Sequence, residues 1–286
     1  MELLSKAVPI AMLVFVVSSM LAVGVSLTVA QIVAPLRNAK VVFLTLLANF
    51  VLVPLAALGI ARMLKLDEPL GIALLLLGAA GGAPFLPKLA GIAKGNLAFA
   101  VGLMVLLMVL TVAYMPLVLP LLLEGVSVNP MKIARSLVLL MLLPLGVGLW
   151  VRARFGRVAD RIRGPLNRTS SISLAGLIVL LLITNIRNVI SLFGTRGILA
   201  SILFLIVGAA IGWLLGGPSS DMKGVLSLGT AQRNIAAALV VGGQNFDDPN
   251  VLVMVVVVAV VGLLILMPLA RAMGARSALQ AARPGQ

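Results

Sequence analysis

Charge placement constrains this chain more than any other property. All eight carboxylates, Glu2, Asp67, Glu68, Glu124, Asp160, Asp221, Asp247 and Asp248, stand at the ends of long apolar runs or between them. A helix that crosses a bilayer needs roughly 20 apolar residues in a row. Nine runs meet that length: 7–29, 40–63, 69–92, 97–123, 132–152, 170–193, 197–216, 222–244 and 249–273. Charged residues make up only 10% of the 286, against about 25% in a soluble domain. In hydrocarbon every backbone polar group must be satisfied within the protein, so apolar runs of this length are helices. The chain therefore reads as an all-α polytopic membrane protein of nine transmembrane helices, with 1–286 a single membrane-embedded unit.

The composition also narrows function. A net charge of +14 invites a nucleic-acid reading, but the cations sit between spans and no aromatic-rich basic surface accompanies them, so a bilayer and no nucleic acid is expected. Cys and His are both absent, which removes disulfides, thiolate and imidazole metal sites, and the commonest general base. With no buried acid either, an intramembrane hydrolase lacks its nucleophile and base, and no enzyme activity is expected.

Alternating the loops between the two sides collects thirteen Lys and Arg on one face and seven on the other. The positive-inside bias then puts the N-terminus outside and the C-terminus in the cytoplasm, with a bacterial inner membrane as the expected setting. The basic cluster from Arg152 to Arg168 is read as part of that signal, in contact with acidic lipid. The first run shows no small-residue cleavage site and reads as a retained helix.

Two cations, Lys88 and Arg233, lie inside apolar runs, where a charge at the membrane centre costs about 2.5 to 3.5 kcal/mol on the insertion scale. Since no acid in the spans can pair with them, an organic anion is the expected partner, and removing either cation is expected to strand nothing. Each sits beside an interruption. Gly81-Gly82-Ala83-Pro84, followed by Pro87, breaks the third run; Gln232-Arg233-Asn234 breaks the eighth. The stretches ahead of these breaks echo each other, Leu75-Leu76-Leu77-Gly78-Ala79-Ala80 against Leu226-Ser227-Leu228-Gly229-Thr230-Ala231, and the two runs cross in opposite directions. That pattern predicts an inverted-topology repeat, with halves 7–124 and 132–274, whose two discontinuous helices mark a site near the midplane. Gly81, Gly82, Pro84, Pro87 and Gly229 are the expected hinge positions of the crossover. Plainer readings stand beside these: Lys88 snorkelling to the nearby inner surface, Arg233 bridging backbone carbonyls, and the glycines serving close helix packing.

Several stretches carry a resemblance. They are Met20 to Thr28, Ala48-Asn49-Phe50-Val51-Leu52-Val53-Pro54, Gly81 to Asn96 with its ending Ala93-Lys94-Gly95-Asn96, and Leu142 to Leu149. Together they resemble the bile acid:sodium symporter family. The resemblance implies a core domain, here from 40–123 and 197–273, in which the two discontinuous helices cross near the midplane, and a panel from 7–29, 132–152 and 170–193, with an organic anion between them. It also implies sodium sites, but the positions of the family's Ser-Asn pair are Leu86 and Pro87, and its Glu position is Leu228. Asn49, Thr111, Thr230 and Gln232 are the remaining sodium candidates, and a hard cation needs several convergent oxygens, usually with carboxylate. No cofactor is expected, sodium use is doubtful, and a lysine at position 88 that gains its proton as an anion arrives would couple transport to protons.

The expected function is secondary transport of a small or amphipathic organic anion by alternating access, without sodium coupling in the family manner. Lys88, Arg233, Asn49, Gln232 and Asn234 are the expected substrate-binding residues. The alternatives are a sodium-coupled symporter with a rearranged site and a non-transporting anion receptor. Substrate identity, direction of transport and oligomeric state are open at this stage.

Overall fold

The computed structural model describes residues 2–33, 38–123, 129–187, 196–217 and 219–281. Arg37, Glu124, Arg283 and the end of the expected run 170–193 lie outside the described residues. Fourteen helices follow in order: α1 (Glu2–Ser26), α2 (Val29–Val33), α3 (Ala39–Leu47), α4 (Val53–Met63), α5 (Glu68–Ala79), α6 (Leu86–Ile92), α7 (Leu97–Leu122), α8 (Pro130–Leu137), α9 (Leu143–Arg154), α10 (Gly156–Thr184), α11 (Gly197–Leu215), α12 (Ser220–Ala231), α13 (Ile235–Asn245) and α14 (Pro249–Ala281). Single wide turns, Ala48–Leu52 and Val138–Leu142, join α3 to α4 and α8 to α9.

Among the described residues, eight helical stretches are long and apolar enough to cross a membrane. The remaining expected run, the third at 69–92, falls on α5 and α6, neither of which is long enough alone. Hydropathy counts apolar residues and is blind to the break between them. A second difference concerns the basic cluster after Arg154, expected as a loop. It is the first part of α10, which begins at Gly156 and carries Pro165 within it, and Arg152 pairs with Asp160 across the turn.

The helix boundaries follow local chemistry. Asn38, Asn96 and Asn129 accept from backbone N–H groups in the first turns of α3, α7 and α8, satisfying donors that helix geometry leaves free. Pro69, Pro87 and Pro130 occupy first turns, where a missing N–H costs nothing, while Pro54 and Pro144 follow the wide turns inside continuous helical stretches. Pro54 lies within the continuous stretch α3–α4 and so leaves Phe50 O without its usual donor. The Tyr114 hydroxyl of α7 donates to that carbonyl, and its ring lies 4.7 Å from the Phe50 ring.

α1 packs chiefly on α9 and α10. The contact with α9 is close because Gly24 faces Gly148: a Cβ on Gly24 would lie 2.4 Å from Leu145 O. α10 is otherwise barely covered, with 11% of its apolar window buried, whereas 89% is buried in the stretch Ser220–Asn245. The least apolar of the eight stretches, with a mean hydropathy of 1.2, is thus the most enclosed. Ser227 and Arg233, polar side chains placed there, find their partners within the protein.

Candidate functional site

The two interrupted helices meet at their breaks. α5 ends at Ala79, and residues 80–85 lead to α6. Gly82 adopts φ +79°, and a Cβ there would lie 2.2 Å from Met108 N, so the break runs against the backbone of α7 in a conformation open to glycine. The Thr111 hydroxyl, fully buried on α7, accepts from Gly81 N at 2.9 Å and donates to Gly81 O at 3.1 Å. One side chain therefore satisfies both backbone groups of a residue that no helix serves. Pro84 and Pro87 are half-buried, with Pro87 in the first turn of α6. Gly229 of α12 faces the side chains of Leu86 and Leu103, which is where α6 and α12 pass each other.

The second break, residues 232–234, is shorter. Asn234 N donates to Ala80 O at 2.9 Å, a direct main-chain bond between the breaks. Its side-chain oxygen caps α13 by accepting from Ala237 N, while its Nδ2 is buried without a partner. Arg233 is 2% exposed. Its Nε donates to Leu77 O at 2.9 Å, Nη2 to Gly78 O at 2.7 Å, and Nη1 to both Asn49 Oδ1 at 2.7 Å and Thr230 O at 3.1 Å. Asn49 completes the set by donating to Thr45 O and to Thr230 Oγ1.

These contacts correct one expectation. Removing Arg233 would take a donor from four acceptors, three main-chain carbonyls and one amide oxygen, and would strand three of them, since Leu77 O also accepts from Ala80 N. The carbonyl-bridging reading of Arg233 fits its surroundings, and a gap of about 10 Å³ beside it, near the lower limit for a single water, leaves no room for an organic anion in this conformation. The structure brings Arg233, Asn49, Thr230 and Asn234 together. Gln232 is half-buried beside that gap, and Lys88 is elsewhere: exposed on α6, with its Nζ 5.2 Å from the centre of the Phe85 ring and no carboxylate partner among the described residues.

Sequence reasoning missed the carbonyls of Leu77 and Gly78, because a main-chain acceptor has no residue identity to read. It also missed Tyr114, for which Pro54 was the available signal. A cavity of about 630 Å³ lies away from the breaks between α11, α12, α14 and the residues that follow α6, with Asp221, Ser227, Trp213 and Arg276 on its wall.

Two interrupted helices whose breaks meet inside an apolar bundle define a class of polytopic helical membrane protein, an arrangement used for substrate and ion sites in secondary transporters. Residues 11–192 match the Sodium Bile acid symporter family, and the chain belongs to it. The matched residues take in the first break and stop short of the second. The chain is 23% identical over 235 residues to a probable sodium/metabolite cotransporter of Arabidopsis thaliana, BASS1, chloroplastic, covering 81% of this chain and 58% of that protein. It is 26% identical over 246 residues to a probable sodium/metabolite cotransporter of Oryza sativa subsp. japonica, BASS2, chloroplastic, covering 82% of this chain and 57% of that protein. The chain thus spans under three fifths of the length of these relatives.

Sodium is the ion these names imply, and the oxygens at the crossing do not fit it. Asn49 Oδ1 and the carbonyls of Leu77, Gly78 and Thr230 already accept from Arg233, and the Thr111 hydroxyl is committed to Gly81. No group of three or more His, Cys, Asp or Glu side chains placed to hold a metal ion occurs among the described residues. A sodium ion would need the same oxygens and would sit against a fixed positive charge.

Proposed function

We propose that this chain is a secondary transporter of a small or amphipathic organic anion, built as an inverted-topology repeat of nine spans and working by alternating access without sodium coupling at the crossing. The observation that carries the reading is the pair of interrupted helices joined break to break, Asn234 N to Ala80 O. A rigid crossing of this kind is suited to move as one body against α1, α9 and α10, which pack chiefly on one another. Lys88 is the anion contact: an exposed cation on the half-helix beyond the first break, with no carboxylate partner among the described residues. Arg233, Asn49 and Asn234 hold the geometry of the crossing, with Gln232 beside them. The N-terminus is outside and the C-terminus inside, following the cation asymmetry.

The names of the two relatives favour a second reading, sodium-coupled symport with a rearranged site. Uptake of labelled carboxylates, sulfonates and steroidal acids into proteoliposomes separates the readings. Anion uptake that persists when choline replaces sodium, at fixed ionic strength and membrane potential, supports the proposal. A saturable sodium requirement moves the assignment to symport. Binding without uptake of any anion in the set defeats the transporter reading. Orientation is tested by single cysteines in this Cys-free chain: one near Asp247 should label from outside and one near Arg157 only from inside.

A further inference from the structure

We infer that the Arg233 guanidinium is itself the cation of the crossing, a covalently tethered ion held where the family's name implies a dissociable one. The acceptors have the character of a cation site. Leu77 O and Gly78 O belong to the last turn of α5 and Thr230 O to the last turn of α12, so the C-terminal ends of two helices point at one place. Each helix C-terminus carries roughly −0.5 elementary charge, so two together offset about one positive charge. This explains how a permanently charged side chain is enclosed to 2% exposure without a carboxylate partner among the described residues. The planar fork spends four donor contacts on four oxygens, and Asn49, whose position resembles a sodium-ligand position of the family, gives its only side-chain acceptor to Nη1.

A tethered cation never dissociates. The crossing therefore stays in one charge state through a transport cycle, and an ion gradient delivers no energy through it. That last consequence rests on the transporter reading above; the assignment of Arg233 as the site's cation does not.

Melting of the purified chain tests the inference without measuring transport. In sodium, potassium or choline chloride at equal ionic strength, wild-type protein is expected to melt at one temperature. A saturable, sodium-specific rise would overturn the inference by showing an open ion site, while leaving anion transport to stand or fall on the flux experiment. Arg233→Ala is expected to melt lower than wild type and to be raised saturably by millimolar guanidinium, far below the molar range in which it denatures, and not by choline. An Arg233→Ala protein that responds to no small cation also overturns it. Should that variant fail to fold, Arg233→Lys and Arg233→Met decide: the charged lysine variant is expected to be the more stable, and a methionine variant equal to it shows that no cation is needed.

Discussion

The break between α5 and α6 contains no charged side chain and presents acceptors, whereas the break between α12 and α13 brings donors. The first is held from outside: Thr111 satisfies Gly81, and Arg233 satisfies Leu77 and Gly78. The second is held by its own residues, with Asn234 capping α13 and Arg233 reaching back to Thr230. Neither break is complete alone, since an unpaired buried carbonyl or N–H costs about 1–3 kcal/mol. The difference teaches that the two interruptions, alike in the echo that precedes them, are halves of one hydrogen-bonded unit. Small residues make room on one side, and a single long cation fills it from the other.

Four substitutions break or sharpen that contrast. Gly82→Ala should have the largest effect, because it combines a left-handed backbone with overlap against Met108 N and Met104 O; we expect a loss of 4 kcal/mol or more, on the order of the largest single-site effects, read as failure to recover monodisperse protein. Thr111→Val keeps the shape but leaves Gly81 N buried without an acceptor, and should cost about 1–3 kcal/mol in a denaturation midpoint. Asn234→Ala removes the cap of α13 but also an unpaired Nδ2, so a net loss of about 1 kcal/mol or less is expected. If Asn234→Ala costs more than Thr111→Val, the second break depends on its cap more than the first depends on α7. Lys88→Met should change stability least, within about 0.5 kcal/mol, since the residue is exposed, while weakening anion binding in a titration. Normal binding by that variant would make Lys88 a snorkelling residue with no role at the site.

Much of this arrangement was legible in the sequence for a physical reason. Gly81-Gly82, Pro84, Pro87 and Gln232-Arg233-Asn234 contradict the apolar runs around them, and contradictions in a membrane span have to be resolved inside the protein. Thr111 was visible as a hydroxyl on the helix after the first break, although its partner, Gly81, was not. The partners of Arg233 were hidden because carbonyl oxygens occur at every residue. The start of α10 at Gly156 was hidden by its charges, which disfavour membrane but not helix. The motif stretches around Gly24 and Gly148 were noticed separately, and only the fold shows them pressed together.

One consequence of the Arg233 network concerns the order in which the protein is made. Its acceptors at Gly78 and Leu77 precede it by 155 and 156 positions, and Asn49 by 184. When the ribosome has delivered α5 to the membrane, those oxygens lack their guanidinium donor, and more than half of the chain is still to come. The first half must wait in the bilayer with its broken helix open to water or to insertion machinery. Residue 233 then acts as the bolt that closes the assembly, and a chain truncated before it would be expected to meet quality-control proteases rather than fold as an independent half.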